Sequence, residues 1–361
     1  MSNPWIEYHD GLEVQQPNEK EMVEEIVASM GRLNRQVFDK HRHALRDAHA
    51  KSHGVLTGIL SVYSDIPDAL AQGIFQRGRE YPVVARLSSA PGDIHSDEIR
   101  SLKGLAIKVI GVEGARVLPA AAGEITQDFL LVNLPILPFG DIKSYLEFQR
   151  KKEEGARPNE APGSLIPAIA SAASEALKAV GMPNRILEAV GASAHHILGE
   201  TFHSMAAIRF GKYVAKLSVA PLSASVTALT GQEIDTAGDD SRYRDLVVEF
   251  FKTQTATYEV RAQMCTDIDR MPIEDASVEW TGDHLPLGTL TFRMQDAYSP
   301  ARRVYADDVL SFNPWQGIDE HRPLGSIMRS RIKAYEASTQ FRHAMNMQTR
   351  VEPRDIAAIP D

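Results

Sequence analysis

Arg331-Ile-Lys-Ala-Tyr335-Glu-Ala-Ser-Thr-Gln-Phe-Arg342 sets a tyrosine between two arginines, with offsets of four and eleven residues counted from the first. A helix advances about 100° per residue, so Arg331, Tyr335 and Arg342 fall within about 40° of one another on one helical face. A phenol is a poor metal ligand until it loses its proton near about pH 10, and a guanidinium one turn away favours the phenolate by direct charge attraction. The unit suits an anionic oxygen ligand to a ferric iron. Arg342 lies roughly 10 Å further along the helix axis, far enough to meet the carboxylate edge of a haem whose iron Tyr335 holds. A solvated basic face with one packed tyrosine is the plainer alternative, and the rest of the chain decides between the two.

Four further strings bear on that choice. They are Arg46-Asp-Ala-His49-Ala-Lys-Ser-His53-Gly54, Arg86-Leu-Ser88-Ser-Ala-Pro-Gly92, Lys103-Gly-Leu-Ala-Ile-Lys108 and Gln127-Asp-Phe-Leu-Leu-Val-Asn133-Leu-Pro135-Ile136. With the tyrosine segment, their order and separations resemble the haem catalase superfamily. The pattern of that superfamily runs R-x-x-H-A-K, R-F-S, R-G-x-A-x-K, N-x-P-I and R-x-x-x-Y-x6-R. Any one piece recurs by chance, but five in register do not. In detail the chain looks most like the short, catalase-related bacterial haem proteins.

Composition agrees with a soluble enzyme. The chain of 361 residues is 43% hydrophobic and 24% charged, ordinary globular usage. Its net charge of −9 repels phosphate backbones and anionic lipid, so nucleic acid is not an expected partner. The first residues have no basic stretch leading into an apolar one, and no segment reaches the roughly 18 apolar residues that a membrane span needs. A cytoplasmic protein without a membrane span is expected. The single cysteine, Cys265, rules out an internal disulfide and a thiolate zinc cluster, leaving His, carboxylate or Tyr to hold any metal.

Spacings of three and four at Met22, Ile26, Met30, Leu33 and Val37 predict an amphipathic helix over residues 18–40. Strands are predicted at 55–63, 83–88, 105–110 and 129–132, bounded by Pro and Gly, then a helix at 141–152. A loop is expected at 155–163 and an Ala-rich helical excursion at 165–190, broken by Gly181-Met-Pro183. A second strand set follows at 206–220, 255–263 and 289–294, and a last helix at about 324–346 carries Tyr335.

The resemblance implies that the strands close one antiparallel β-barrel of about eight strands, an α+β fold with surrounding helices and with haem buried between the barrel and the Tyr335 helix. A single domain over 1–361 is expected, with a helical arm at about 18–50, the barrel and its helical insertion at about 54–295, and the proximal helix. Only 26 residues follow Tyr335, so the C-terminal helical domain of the large catalases is expected to be absent.

The same resemblance assigns roles. His49 is the distal acid and base, moving a proton from the iron-side oxygen of a bound peroxide to the leaving oxygen. Ser88 hydrogen-bonds the other ring nitrogen and fixes its orientation; Asn133 holds the outer oxygen. Tyr335 is the axial ligand of the haem iron, and Arg331 holds its phenolate ionised. Arg46, Arg86 and Arg342 pair with the haem propionates, for which planar guanidinium geometry is well suited. Taken singly, Arg46 or Arg86 would be read as an ordinary salt bridge. Ala48 stands where catalases often carry valine, and Pro138-Phe139 where they carry paired phenylalanines, which points to a wider distal cavity.

Two competing readings come from the residues themselves. His41, His43, His49 and His53 cluster within thirteen residues, and His49 with His53 at i, i+4 could share a metal on a helix. No Glu lies between them as a zinc hydrolase would need, and Gly54 argues for a helix end. A haem carrier or sensor without turnover would not need the His49, Ser88 and Asn133 set. The expected function is therefore a haem b peroxidase with some catalase activity, acting on hydrogen peroxide or organic hydroperoxides through a ferryl intermediate. A small organic electron donor is a further expected partner, and assembly into a homo-oligomer is left open. Isomerisation of fatty-acid hydroperoxides to an allene oxide or epoxyalcohol is the alternative activity.

Overall fold

Alternating side chains that face an apolar interior are what a half-buried strand needs, and nine strands form among the described residues. In the computed structural model, which describes residues 4–155 and 194–361, these are β1 (Ser52–Val62), β2 (Glu80–Ser89), β3 (Lys103–Ile110), β4 (Thr126–Val132), β5 (Phe202–His203), β6 (Ile208–Phe210), β7 (Tyr213–Pro221), β8 (Ala256–Met264) and β9 (His284–Phe292). All pairings are antiparallel. Going round the ring, β1, β2, β3, β4, β5, β7, β8 and β9 pair in turn and β9 returns to β1, closing an eight-stranded barrel; β6 is appended to β7. The closure hangs on β5, which contributes one residue pair to β4 and two to β7.

Along the strands every second residue points inward. Leu60, Ile107 with Val109, Phe129 with Leu131, Leu217 with Val219, Val260 and Leu290 meet around a small apolar cavity in the lumen. The barrel is therefore filled by its own side chains, and any large ligand must sit outside it.

Helices α1 (Glu19–His41), α2 (Ile142–Gly155), α3 (Arg242–Thr253) and α4 (Ser326–Met345) surround the barrel. On α1 the inward residues are Val23, Ile26, Met30 and Leu33. Val23, Ile26 and Met30 pack with Ile142 and Leu146 of α2 and Ala334 of α4, so three helices share one apolar seam. Asp141 caps α2, its Oδ1 accepting from the Ser144 N–H at 2.9 Å. The C-terminal segment is tied to the barrel by Lys108, whose buried ammonium donates to Asp128 Oδ1 and Glu352 Oε2, both at 2.7 Å.

The expected helices at 18–40, 141–152 and 324–346 are present, and so are the strands, with three differences. The long strand expected at 206–220 is a β6–β7 hairpin, because Gly211 turns the chain in a left-handed conformation, φ +60°. β9 starts at His284 rather than 289; Pro286 is tolerated there because it pairs with Arg261 at a bulge, where the ladder already skips. Helix α3 was not expected, although Tyr243, Val247 and Phe251, four residues apart and buried, mark its inner face. The loop expected at 155–163 and the Ala-rich excursion at 165–190 lie outside the described residues, apart from Gly155 itself, which ends α2.

The barrel seam between β1 and β9 is closed by glycines on both strands. A Cβ on Gly58 would lie 2.5 Å from the Thr291 carbonyl oxygen, and one on Gly288 would lie 2.3 Å from that of Ser61. Gly58→Ala and Gly288→Ala should each cost about 1–3 kcal/mol by overpacking, read as a lowered urea midpoint. Wild-type midpoints in both variants would show that the seam has slack.

Candidate active site

Three strand ends form a row. Ser88 on β2 lies opposite Gly104 on β3, and Gly104 opposite Val132 on β4. One residue on, Asn133 closes a reciprocal pair with Lys103. The Asn133 N–H donates to the Lys103 carbonyl at 3.0 Å, and the Lys103 N–H donates to Asn133 Oδ1 at 2.8 Å. With its carbonyl oxygen used, the Asn133 amide has only N–H groups left to offer, and its side chain also hydrogen-bonds Glu200.

The chain reaches this row from α1 through residues 42–51, which contain no helix. His49 adopts φ +54°, unusual for a residue with a Cβ and typical of over-determined functional positions. Both of its backbone groups are fixed: the N–H donates to the Ala90 carbonyl at 2.8 Å and the carbonyl accepts from Arg86 Nη1 at 2.8 Å. Its ring then meets Ser88, Nδ1 to Oγ 3.1 Å. A proton on Nδ1 donated to Ser88 leaves Nε2 as the free base. Burial, then the charges of Arg86 and Arg331, push the imidazole down to about 3, so it is neutral throughout the physiological range.

Two glycines make room for this arrangement. A Cβ at Gly104 would lie 2.5 Å from His49 Nδ1 and 2.9 Å from Ser88 Oγ, and one at Gly92 would lie 2.0 Å from the Asp47 carbonyl oxygen. Both were within the quoted strings, but the contacts that require them are tertiary and have no sequence signal of their own.

Arg46, Arg86 and Arg342 converge from the approach segment, β2 and α4. All three reach the stretch 306–311, which follows the entry to a π-helical turn, Tyr305–Val309. Arg46 Nη2 donates to the carbonyls of Ala306 (2.6 Å) and Leu310 (2.8 Å). Arg342 donates to the carbonyls of Asp307, Asp308 and Leu310 and to Ser311 Oγ, at 2.6 to 3.1 Å. Arg46 and Arg86 share the Asp307 carboxylate, each at 3.3 Å. Burial first, then mutual repulsion, lowers the pKa of Arg46, and burial with the charge of Arg86 brings Arg342 down to about 10. The cluster thus carries more positive charge than Asp307 balances, and Arg86 Nε is buried with no hydrogen-bond partner among the described residues.

On α4, burial raises the Tyr335 pKa, the Arg331 charge opposes it and Asp47 adds to the rise. Arg331 pulls in the direction its position implies, but burial outweighs it, so the phenol keeps its proton until a cation meets its oxygen. Helix α4 is linked to the His49 segment by Ser338, whose Oγ donates to Asp47 Oδ1 at 2.7 Å. Tyr145 of α2 feels Asp47, Arg331 and Tyr335 together.

Ala48 is exposed and His49, Tyr145 and Tyr335 keep accessible surface, although burial is the first cause of every pKa shift at the three titratable ones. Accessible surface walled in by protein is the lining of an internal hollow. A flat dianionic tetrapyrrole fits these residues: a phenol and an imidazole for its faces, and a cation cluster with an orphaned guanidinium N–H for its carboxylates. Other histidines turn elsewhere: His41 to Asp93 (2.5 Å), His43 to Asp308 (2.7 Å), His53 to Ser89 (2.6 Å). They do not gather with His49, and the helix that a zinc pair would need is absent there.

The sequence pattern of the family described as Catalase matches residues 29–349. The chain belongs to the catalase family. No match emerges among curated proteins. Among solved structures it is similar to a fungal catalase (14% identity, TM-score 0.62, 99% of this chain and 73% of that one). Catalase A from Saccharomyces cerevisiae is similar too (14%, 0.59, 98% and 72%), as is a bacterial catalase (13%, 0.59, 96% and 66%). Catalase membership makes the chain a haem oxidoreductase acting on peroxide at the level of the family, and the barrel with its helices is the catalase fold.

Gly104 tests the geometry of this catalase-type site without touching a titratable group. Gly104→Ala should fold as the wild type by circular dichroism but displace the His49 ring from Ser88. Peroxide turnover should then fall toward the roughly 10²- to 10⁴-fold loss typical of a misplaced acid or base. Wild-type turnover would mean that the ring has room to spare.

Proposed function

We propose that this protein is a haem b peroxidase with some catalase activity, consuming organic hydroperoxides and hydrogen peroxide. The observation that carries the reading is the neutral His49 imidazole, fixed by a strained backbone and by Ser88, beside the hollow that α4 and Tyr335 border. Plain haem storage needs no such group.

Haem, when bound, supplies the redox-active iron at which the peroxide O–O bond is cleaved. Tyr335 would hold the iron, with Arg331 favouring its anionic form, and Arg46, Arg86 and Arg342 would pair with the propionates. His49 Nε2 takes the proton of the near peroxide oxygen and returns it to the outer one, which departs as water or alcohol. Ser88 keeps the ring turned for both transfers. An Asn133 N–H stabilises charge on the outer oxygen, its carbonyl being committed to Lys103. The exposed Ala48 leaves room next to the imidazole for an alkyl group, which favours hydroperoxides larger than hydrogen peroxide and a reducing cosubstrate.

Product analysis of the haem-loaded protein decides among the activities. With cumene hydroperoxide and an aromatic electron donor we expect cumyl alcohol and oxidised donor, with slower oxygen evolution from hydrogen peroxide. Rearranged lipid from a fatty-acid hydroperoxide without donor would instead mark an isomerase. In parallel, Tyr335→Phe should fold but lose haem or change its high-spin spectrum, because the anionic ligand is gone; an unchanged spectrum and haem content would remove Tyr335 from the site.

A further inference from the structure

The stretch 306–311 that receives the arginine cluster makes a second set of contacts. Its carbonyls accept from Arg46 and Arg342. The side chains of Ala306 and Leu310, both buried, pack with Phe312 and with Val55, Val84 and Ile110 of β1, β2 and β3. Leu56, Val83, Ala85 and Val109, the chain neighbours of those strand residues, belong to the barrel core. The cluster therefore lies on the outer wall of the barrel. Its remaining buried member is Ile359, 6% exposed, which comes from the segment after α4 with Ile356 packed beside it.

Two polar clamps hold that segment. At the first, Glu352 Oε2 accepts from the buried Lys108 ammonium at 2.7 Å and from Thr126 Oγ1 at 3.2 Å. Lys108 also donates to both oxygens of Asp128, at 2.7 and 2.9 Å, and Asp128 Oδ2 accepts from the Asn313 N–H at 2.9 Å. Burial disfavours the Lys108 charge, but Asp128 and then Glu352 outweigh it and raise the pKa, so the ammonium stays charged. At the second clamp Arg302, 3% exposed, donates through Nε to the Pro360 carbonyl at 2.8 Å and through Nη1 to that of Asp296 at 2.7 Å.

Both clamps grip the immediate neighbours of the π-helical turn. Arg302 lies in the short helix Pro300–Val304 that runs straight into it, and Asn313 follows it by four residues. Such turns are rare, and main-chain carbonyls aim a guanidinium only while the main chain is fixed. We propose that residues 350–361 form a strap that positions the arginine cluster, with Glu352 and Ile359 fixing the turn whose carbonyls aim Arg46 and Arg342 at the cofactor carboxylates. This rests on the propionate reading of that cluster. Glu352 and Ile359 are positioning residues, acting through the turn.

The test uses the haem-loaded protein and two readouts. Hydrogen exchange at the amides of 305–311, with haem kept saturating, reads the turn; the rate of haem transfer to an excess of a haem-free globin reads retention. Deletion of residues 350–361 should speed that exchange and the haem transfer about tenfold each, as for loss of a few buried contacts, while the β7 and β8 amides exchange as before. Ile359→Ala should shift both readouts the same way by less, which keeps the test open should the deletion fold poorly. Arg342→Met should also speed haem transfer, and combining it with the deletion should give less than the product of the two effects, because both act on the same contacts. Wild-type exchange at 305–311 in both strap variants would overturn the strap. So would a deletion and an Arg342→Met whose effects on haem transfer simply multiply. Faster exchange at 305–311 with wild-type haem transfer in Arg342→Met would instead overturn the propionate reading and leave the hold of the strap on the turn standing.

Discussion

One buried guanidinium holds the site together. Arg86 is 2% exposed, and its two terminal nitrogens donate to the carbonyls of His49 and Ala50 at 2.8 and 2.9 Å while Nη2 also reaches Asp307. A residue on a barrel strand thus fixes the segment that leaves α1 and the stretch before α4. His49 can sit at a positive φ because its carbonyl is held by this charge and its N–H by Ala90, so the strain, of order 1–2 kcal/mol for an L-residue, is offset locally. Removing one partner of a buried charge leaves the other unmet; Arg86 therefore acts on the imidazole, the cation cluster and the approach segment at once.

A second link spans the hollow. Asp47 precedes His49 by two residues and accepts from Ser338, which follows Tyr335 by three. The two faces on which a peroxide-cleaving haem would depend are tied by one side-chain hydrogen bond, and their separation is set by protein geometry. Lys103, at the place where the family pattern has arginine, is buried with its ammonium 3.6 Å from the Tyr243 ring centroid. That cation–π contact anchors α3 against the strand end that presents Asn133.

Much of this was legible in the sequence because the informative residues fall at strand ends and on one helix face, where period and punctuation are readable. Ser88, Gly104 and Asn133 were quoted from three separate strings, and the barrel register sets them in a row. What stayed hidden depends on contacts between distant segments. Gly92 is required by the Asp47 carbonyl, 45 positions earlier in the chain. Barrel closure rests on the two residues of β5, too few for any periodic signal. The partners of Arg46 and Arg342 are main-chain carbonyls of 306–311, which no side-chain pattern announces. Helix α3 could have been found from Tyr243, Val247 and Phe251, whose spacing was there to read.

Charge resolves an apparent contradiction. The chain carries a net −9, yet Arg46, Arg86 and Arg342 gather at Asp307, and Arg331 acts on both His49 and Tyr335. A cation is costly to hold at depth, and burial lowers the pKa of Arg46 and Arg342. An incoming anion would relieve that cost. On the proposed reading, propionates would relieve it at one end of α4, and a phenolate would relieve it at Tyr335 once a cation meets the oxygen. The same positive field holds His49 neutral, since Arg86 and Arg331 both disfavour its protonated form. Ligand retention and the free base that peroxide chemistry needs therefore draw on the same cations, and neutralising Arg86 or Arg331 would weaken both together.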